Sequence, residues 1–172
     1  MLRLVKVSKK YERQYKDMLD EWKGSGEKII PFSIRRDYSN FDELVRRFEE
    51  DEKGINIGSF VPSITFLGYD DERDIVVGAV NIRPNLNEKL RYNGGHIGDG
   101  VRPSERRKGY ATEMIRLALQ FCKNELGLNR VMMVCLKENI GSAKAIINNG
   151  GILEREVLDE NRNIDQVYWI DL

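Results

Sequence analysis

The stretch Arg102-Pro103-Ser104-Glu105-Arg106-Arg107-Lys108 gathers four cations and one carboxylate immediately before Gly109, which opens an apolar-periodic run. Residues of these types in this order suit an anion. A glycine leaves neighbouring amides unshielded, a helix start presents N–H groups that lack acceptors, and the helix dipole adds its positive end. A phosphate or pyrophosphate would be held there, and the basic side chains would add charge-assisted bonds. The chain has neither a Gly-x-x-x-x-Gly-Lys nor a Gly-x-Gly-x-x-Gly run, which speaks against nucleoside triphosphates and dinucleotides. Just upstream, His96 and Asp99 are the candidates for moving a proton. His96 is the one histidine of the chain and titrates near neutrality; Asp99 is the alternative, a carboxylate base. In a strictly alternating strand the two point to opposite faces, and only a bulge at Gly98-Asp99-Gly100 would bring both to one acceptor.

The elements that must position these groups follow from the apolar pattern. Leu2, Leu4, Val5 and Val7 suit a first strand, with Ser8 as N-cap of a helix that carries Tyr11, Tyr15, Met18, Leu19 and Trp22 on one stripe. Gly24-Ser25-Gly26 ends it, and Ile29-Ile30-Pro31-Phe32 reads as a loop lying on something apolar. Asn40 caps a second helix through Phe41, Leu44, Val45 and Phe48. Ser63–Tyr69 and Ile75–Arg83 make an antiparallel hairpin, Pro84 to Gly94 is a loop, and the glycines of His96–Val101 imply a bulge or a close approach of backbone. Tyr110 to Leu126 is a helix closed by Gly127, Arg130 to Leu136 a buried parallel strand, and Asn139 the cap of a helix through Asn148. Ile152–Leu158 and Gln166–Ile170 form a closing hairpin. The order β-α-α-β-β-β-α-β-α-β-β sets the cationic loop where a strand's carboxyl end meets a helix mouth, which is where open α/β sheets bind ligands.

Composition narrows the classes further. At 172 residues, 41% hydrophobic and 33% charged, the chain reads as one globular domain over residues 1–172. Twenty-eight basic residues balance twenty-eight acidic ones, so neither nucleic acid nor an anionic membrane is recruited by net charge. Cys122 and Cys135 are too few for a disulfide framework and lack metal-ligand spacing, which points to no metal and to a reducing, cytoplasmic setting. Both lie on core-facing runs and read as buried apolar residues, not nucleophiles. The early charges of the amino terminus, and the lack of any run near the roughly 20 apolar residues a bilayer needs, speak against a signal peptide or a membrane span.

The segment Arg106 to Ala111 resembles the [Q/R]-x-x-G-x-[G/A] acetyl-CoA signature of the GNAT N-acetyltransferase superfamily, with Arg106, Gly109 and Ala111 in its fixed places. His96 to Pro103 is similar to that family's fourth strand and its exit, and Asn139 to Gly151 to its fourth helix. The resemblance spans the chain and implies a mixed α/β fold: a central twisted sheet of six to seven strands, flanked by about four helices and splayed between strands four and five. It further implies that a CoA pyrophosphate lies over Arg106, Arg107, Lys108, Gly109, Ala111 and Thr112. The pantetheine arm would pair with the strand end at Val101 as an added strand does. Asn139 and Ser142 would face the cofactor, unless they are merely a cap and a small packing residue. The implied reaction is direct attack of a primary amine, on a small molecule or a peptide, upon acetyl-CoA. Trp22, Ile29, Ile30 and Phe32, with Tyr168, would line the acceptor pocket, and a homodimer is an implied assembly. One departure stands out: where the family often has a tyrosine, seven residues after the asparagine, this chain has Ile146. The departing thiolate would then need water, Ser142, Tyr110 or Tyr168 as proton donor. That departure also supports an alternative, a CoA-binding sensor module without turnover.

Overall fold

The computed structural model, which describes residues 1–172, has seven strands and five helices. The strands are β1 (Leu2–Lys6), β2 (Ile64–Asp70), β3 (Ile75–Ile82), β4 (Ile97–Val101), β5 (Arg130–Leu136), β6 (Ile152–Leu158) and β7 (Ile164–Asp171). The helices are α1 (Glu12–Gly24), α2 (Phe41–Lys53), α3 (Glu88–Asn93), α4 (Tyr110–Asn124) and α5 (Ile140–Asn148). All strands join one sheet in the order β1-β2-β3-β4-β5-β7-β6, antiparallel except where β4 meets β5.

Each face of the sheet has its own apolar layer. On one, the α1 stripe Tyr15, Met18, Leu19 and Trp22 packs with Leu44 and Phe48 of α2 over Leu67, Val76 and Ala79. On the other, Met114, Ile115 and Ala118 of α4 and Ile146 of α5 cover Val80, Ile82, Ile97 and Met133. At roughly 1.5–3 kcal/mol per fully buried large apolar side chain, these stripes outweigh local helix propensity and fix where the α1 and α4 ends meet the sheet. Helix ends obey local chemistry: Asn40 Oδ1 accepts from the Glu43 N–H at 3.2 Å, and α2 stops at Gly54 in the left-handed region. No helix is long and apolar enough to cross a membrane.

Two sequence expectations change, and a third is decided between its alternatives. Ser8 precedes a single 3-10 turn, Lys9–Tyr11, and its hydroxyl caps nothing. The segment Pro84 to Gly94 holds α3, capped by Asn87 Oδ1 on the Leu90 N–H at 3.0 Å; it buries no residue, so it leaves no apolar periodicity to read. The glycines of β4 mark close approach and not a bulge. The strand pairs with β3 from Ile97↔Ile82 to Val101↔Gly78 without a shift of register, and a Cβ on Gly100 would overlap the carbonyl oxygen of Ile30.

Candidate active site

The loop after β4 delivers a row of free amides. Gly109 adopts φ +86 as N-cap of α4, and Arg107, at φ +62, is also left-handed. A residue other than glycine at such a φ carries strain of about 1–2 kcal/mol. The first α4 amide with a backbone acceptor is that of Glu113, bonded to the Gly109 oxygen at 3.1 Å. The six amides from Arg107 to Thr112 therefore have no acceptor in the protein, and all but that of Lys108 belong to residues lining one groove. Acceptor-free donors at the start of α4, with the helix dipole behind them, constitute an anion cradle built from main chain.

The side chains of that loop have other partners, which charge counting could not show. Arg102 is buried and bonds Asp17 Oδ2 at 2.8 Å as well as Glu21, fastening the loop to α1. Arg106 reaches Glu27 Oε2 at 2.6 Å, and its Nε donates to the Val101 carbonyl at 3.1 Å. Lys108 bonds Glu105 at 3.1 Å. Of the four cations only Arg107 lacks an acidic partner within salt-bridge reach, so Arg102 is a strut and not part of the anion site. Below the loop, Arg73 grips Glu105 with both terminal guanidinium nitrogens, at 2.6 and 3.0 Å, and this clasp, against burial, holds the carboxyl down to about 2. The Tyr110 hydroxyl donates to Asp70 at 2.6 Å and accepts from Arg73 at 3.1 Å. Sequence reading missed Arg73, Glu105 and Asp70 as supports of the loop; the only signal was a lone carboxylate among the cations.

Beside the cradle the sheet opens. β4 and β5 share one paired position, Ile97 with Met133; onward, Gly98–Val101 pairs only with β3 and Val134–Leu136 only with β7. The resulting groove, about 1030 Å³, runs from Trp22 and Ile30 past Asp99 and Val101 to the start of α5. Of the expected site residues it is lined by Asp99, Val101, Arg106, Arg107, Gly109, Ala111, Thr112, Asn139 and Ser142, but not by Lys108 or His96. Without a bulge, alternation separates the two proton-carrying candidates. Asp99 pairs with Val80 and shares its α4-side face, is half-buried, and burial pushes its carboxyl up to about 6. His96 sits on the opposite side, buried against Trp169, its Nδ1 accepting the Met132 N–H at 2.9 Å.

The far wall belongs to α5. Asn139 Oδ1 caps the helix by accepting from the Ser142 N–H at 3.0 Å. Burial pushes the Cys135 thiol up to about 11, with the Ser142 hydroxyl partly offsetting it, and Cys122 rises likewise. Ile146 is fully buried in the α4–α5 core layer. Tyr110 is committed to Asp70, while Tyr168 is buried and donates to Gln166 at 2.8 Å, outside the groove. Of the aromatic residues expected around an acceptor, Trp22 lines the groove, but Phe32 faces solvent, stacked on Phe60 with centroids 6.0 Å apart.

Known proteins agree with this architecture. A family model described as an acetyltransferase (GNAT) domain matches residues 11–152. No curated protein matches the chain. Among solved structures, an acetyltransferase of the GNAT family from Bacillus anthracis is 19% identical with a TM-score of 0.66, covering 99% of this chain and 94% of its own. The spermidine/spermine N-acetyltransferase SpeG from Vibrio cholerae is 18% identical, TM-score 0.66, covering 99% and 93%. The microcin C7 self-immunity acetyltransferase MccE, solved with acetyl-CoA and AMP, is 15% identical, TM-score 0.68, covering 99% and 92%. At these identities the likeness is one of fold.

Proposed function

The chain belongs to the GNAT acetyltransferase family, and from that premise we propose that it moves an acetyl group from acetyl-CoA to a primary amine by direct attack. One observation carries the reading: five acceptor-free amides at the mouth of α4, those of Arg107 and Gly109 to Thr112, belong to residues that line the groove made by the β4–β5 split. The residues present fit a CoA pyrophosphate at Arg107 to Thr112, with the arm passing Val101 and the thioester end near Asp99. Because Arg106 holds the Val101 carbonyl, the arm would pair there with β4 only once Arg106 turns to the phosphates.

In this reading Asp99, and not His96, takes the proton. The amine nitrogen bonds to the thioester carbonyl carbon, the C–S bond breaks, the amine proton passes to the Asp99 carboxylate, and the thiolate is protonated from water or the Ser142 hydroxyl. A carboxyl titrating near 6 is matched to that task, because it is ionised at neutral pH yet basic enough to accept a proton. Two free, buried cysteines suit the reducing setting that goes with this proposal. Titration calorimetry with acetyl-CoA, followed by thioester consumption over polyamines, amino acids, aminoglycosides and peptides, tests it. Binding with turnover of at least one amine supports a transferase; binding without turnover favours the sensor module; no binding by folded protein removes both.

A further inference from the structure

A sheet that splits needs something to set where the split begins. Next to Ile97–Met133, the one paired position of β4 and β5, two residues exchange a reciprocal pair of bonds: the His96 N–H donates to the Met132 carbonyl at 2.8 Å, and the Met132 N–H donates to His96 Nδ1 at 2.9 Å. The His96 carbonyl is turned the other way, accepting from the Arg83 N–H at 2.7 Å. The imidazole thus takes the place of a main-chain acceptor at the closed end of the split. His96 is 8% and Met132 1% exposed, so a Met132 amide left without that lone pair would be a buried, unpaired donor.

We propose that His96 is a positioning residue whose Nδ1 pins Met132 at the vertex of the β4–β5 split and so sets the width of the opening in which the arm of acetyl-CoA lies. The proposal rests on the acetyl-CoA reading above, and it explains why the one histidine lies outside the groove. It requires the neutral ring with its proton on Nε2, since an imidazolium would present a donor to a donor. The surroundings favour that form. Burial, with the Arg83 charge beside it, holds the imidazole below its ordinary value. From β7 the Trp169 ring lies 6.1 Å away, covered by the Arg130 guanidinium at 4.0 Å and bonded through its N–H to Glu154. Met132 and Met133 of β5 bring no charge, and no carboxylate pairs with the ring.

The test compares His96→Asn with His96→Leu in the full chain, because an asparagine Oδ1 falls where the imidazole Nδ1 does and does not titrate. His96→Asn is expected to keep acetyl-CoA affinity and turnover within about threefold, whereas His96→Leu loses about tenfold or more in affinity and turnover together. Protection of the Met132 amide against hydrogen exchange, measured by NMR relative to the unfolded chain at the same pH, should be high in wild type and His96→Asn, low in His96→Leu, and should fall on acidification in wild type alone. Loss of turnover in His96→Asn with affinity intact would make His96 a base and overturn the proposal, as would a Met132 amide indifferent to the substitution or to pH. Should His96→Leu not fold, His96→Asn and the wild-type pH series decide. Absence of acetyl-CoA binding by wild type defeats the functional reading instead, and the Met132 measurement still stands by itself.

Discussion

At the scale of single residues, the division of labour between Asp99 and His96 turns on parity. They lie three positions apart, His96 one residue before β4 and Asp99 within its unbulged run, and one faces the groove while the other does not; the sequence showed the parity, but which face carries the groove depends on where α4 and α5 pack. Asp99 should therefore dominate the pH profile, with kcat/KM rising through a limb near pH 6 that disappears in Asp99→Asn. Turnover of that variant should fall by about 10²–10⁴ with acetyl-CoA affinity unchanged. A second measurement uses stability. A carboxyl raised in the folded state from about 3.8 to about 6 stabilises fully below the lower value and loses that contribution as pH rises through the higher one. Asp99→Asn should accordingly be more stable than wild type by about 1–3 kcal/mol at pH 8 and no different at pH 4, as read by denaturant midpoints.

At the scale of elements, the cradle works through main chain, and two substitutions separate shape from charge. Arg107→Gly removes the one loop cation without an acidic partner and relieves a left-handed φ of +62; stability should rise by about 0.5–1 kcal/mol while acetyl-CoA affinity falls no more than about fivefold. Gly109→Ala leaves charge alone but strains a φ of +86 with open space around it, and calorimetry should show the larger loss of affinity, about tenfold. With Arg102 and Lys108 paired internally and only Arg106 and Arg107 left to meet the phosphates, affinity should fall less than about tenfold between roughly 50 and 200 mM salt. The clasp beneath gives a pH signature of opposite sign to that of Asp99. Glu105, held near 2, stabilises above its ordinary value and loses that contribution as pH falls towards the folded one. Glu105→Gln should cost about 1–3 kcal/mol at pH 7, allowing for the exposed side of Arg73, and nearly nothing by about pH 2. Periodicity made α1, α4 and α5 legible because each buries one stripe, and β2, β3 and β5 showed as near-continuous apolar runs because both their faces are buried. It missed α3, which buries nothing, and the fates of the loop cations, whose partners Asp17 and Glu27 lie far back in the chain.

At the scale of the whole molecule, the sheet is unevenly covered. The helices α1 and α2 cover one face at β2 and β3, and α4 and α5 the other from β1 to β5, but β6, the last strand, has exposed residues on both sides: Ile152 is 70%, Leu153 45% and Leu158 57% exposed. Ile152 and Leu153 are neighbours and so point to opposite faces, which a strand half-buried on its own sheet would not show. An edge strand with apolar side chains and unpaired backbone donors is a site for self-pairing unless something covers it. A second copy of the chain is the occupant consistent with the homodimer expected of the family, because the same edge on two molecules can pair about a two-fold axis. Sedimentation equilibrium should then show a dimer in wild type and a monomer in Ile152→Glu/Leu158→Glu. Acetyl-CoA affinity should be the same in both, since the β4–β5 split lies in the middle of the strand order, with β7 standing between it and the β6 edge. A monomeric wild type would mean that the edge stands uncovered, and a dimer unaffected by the two charges would place the interface elsewhere on the sheet.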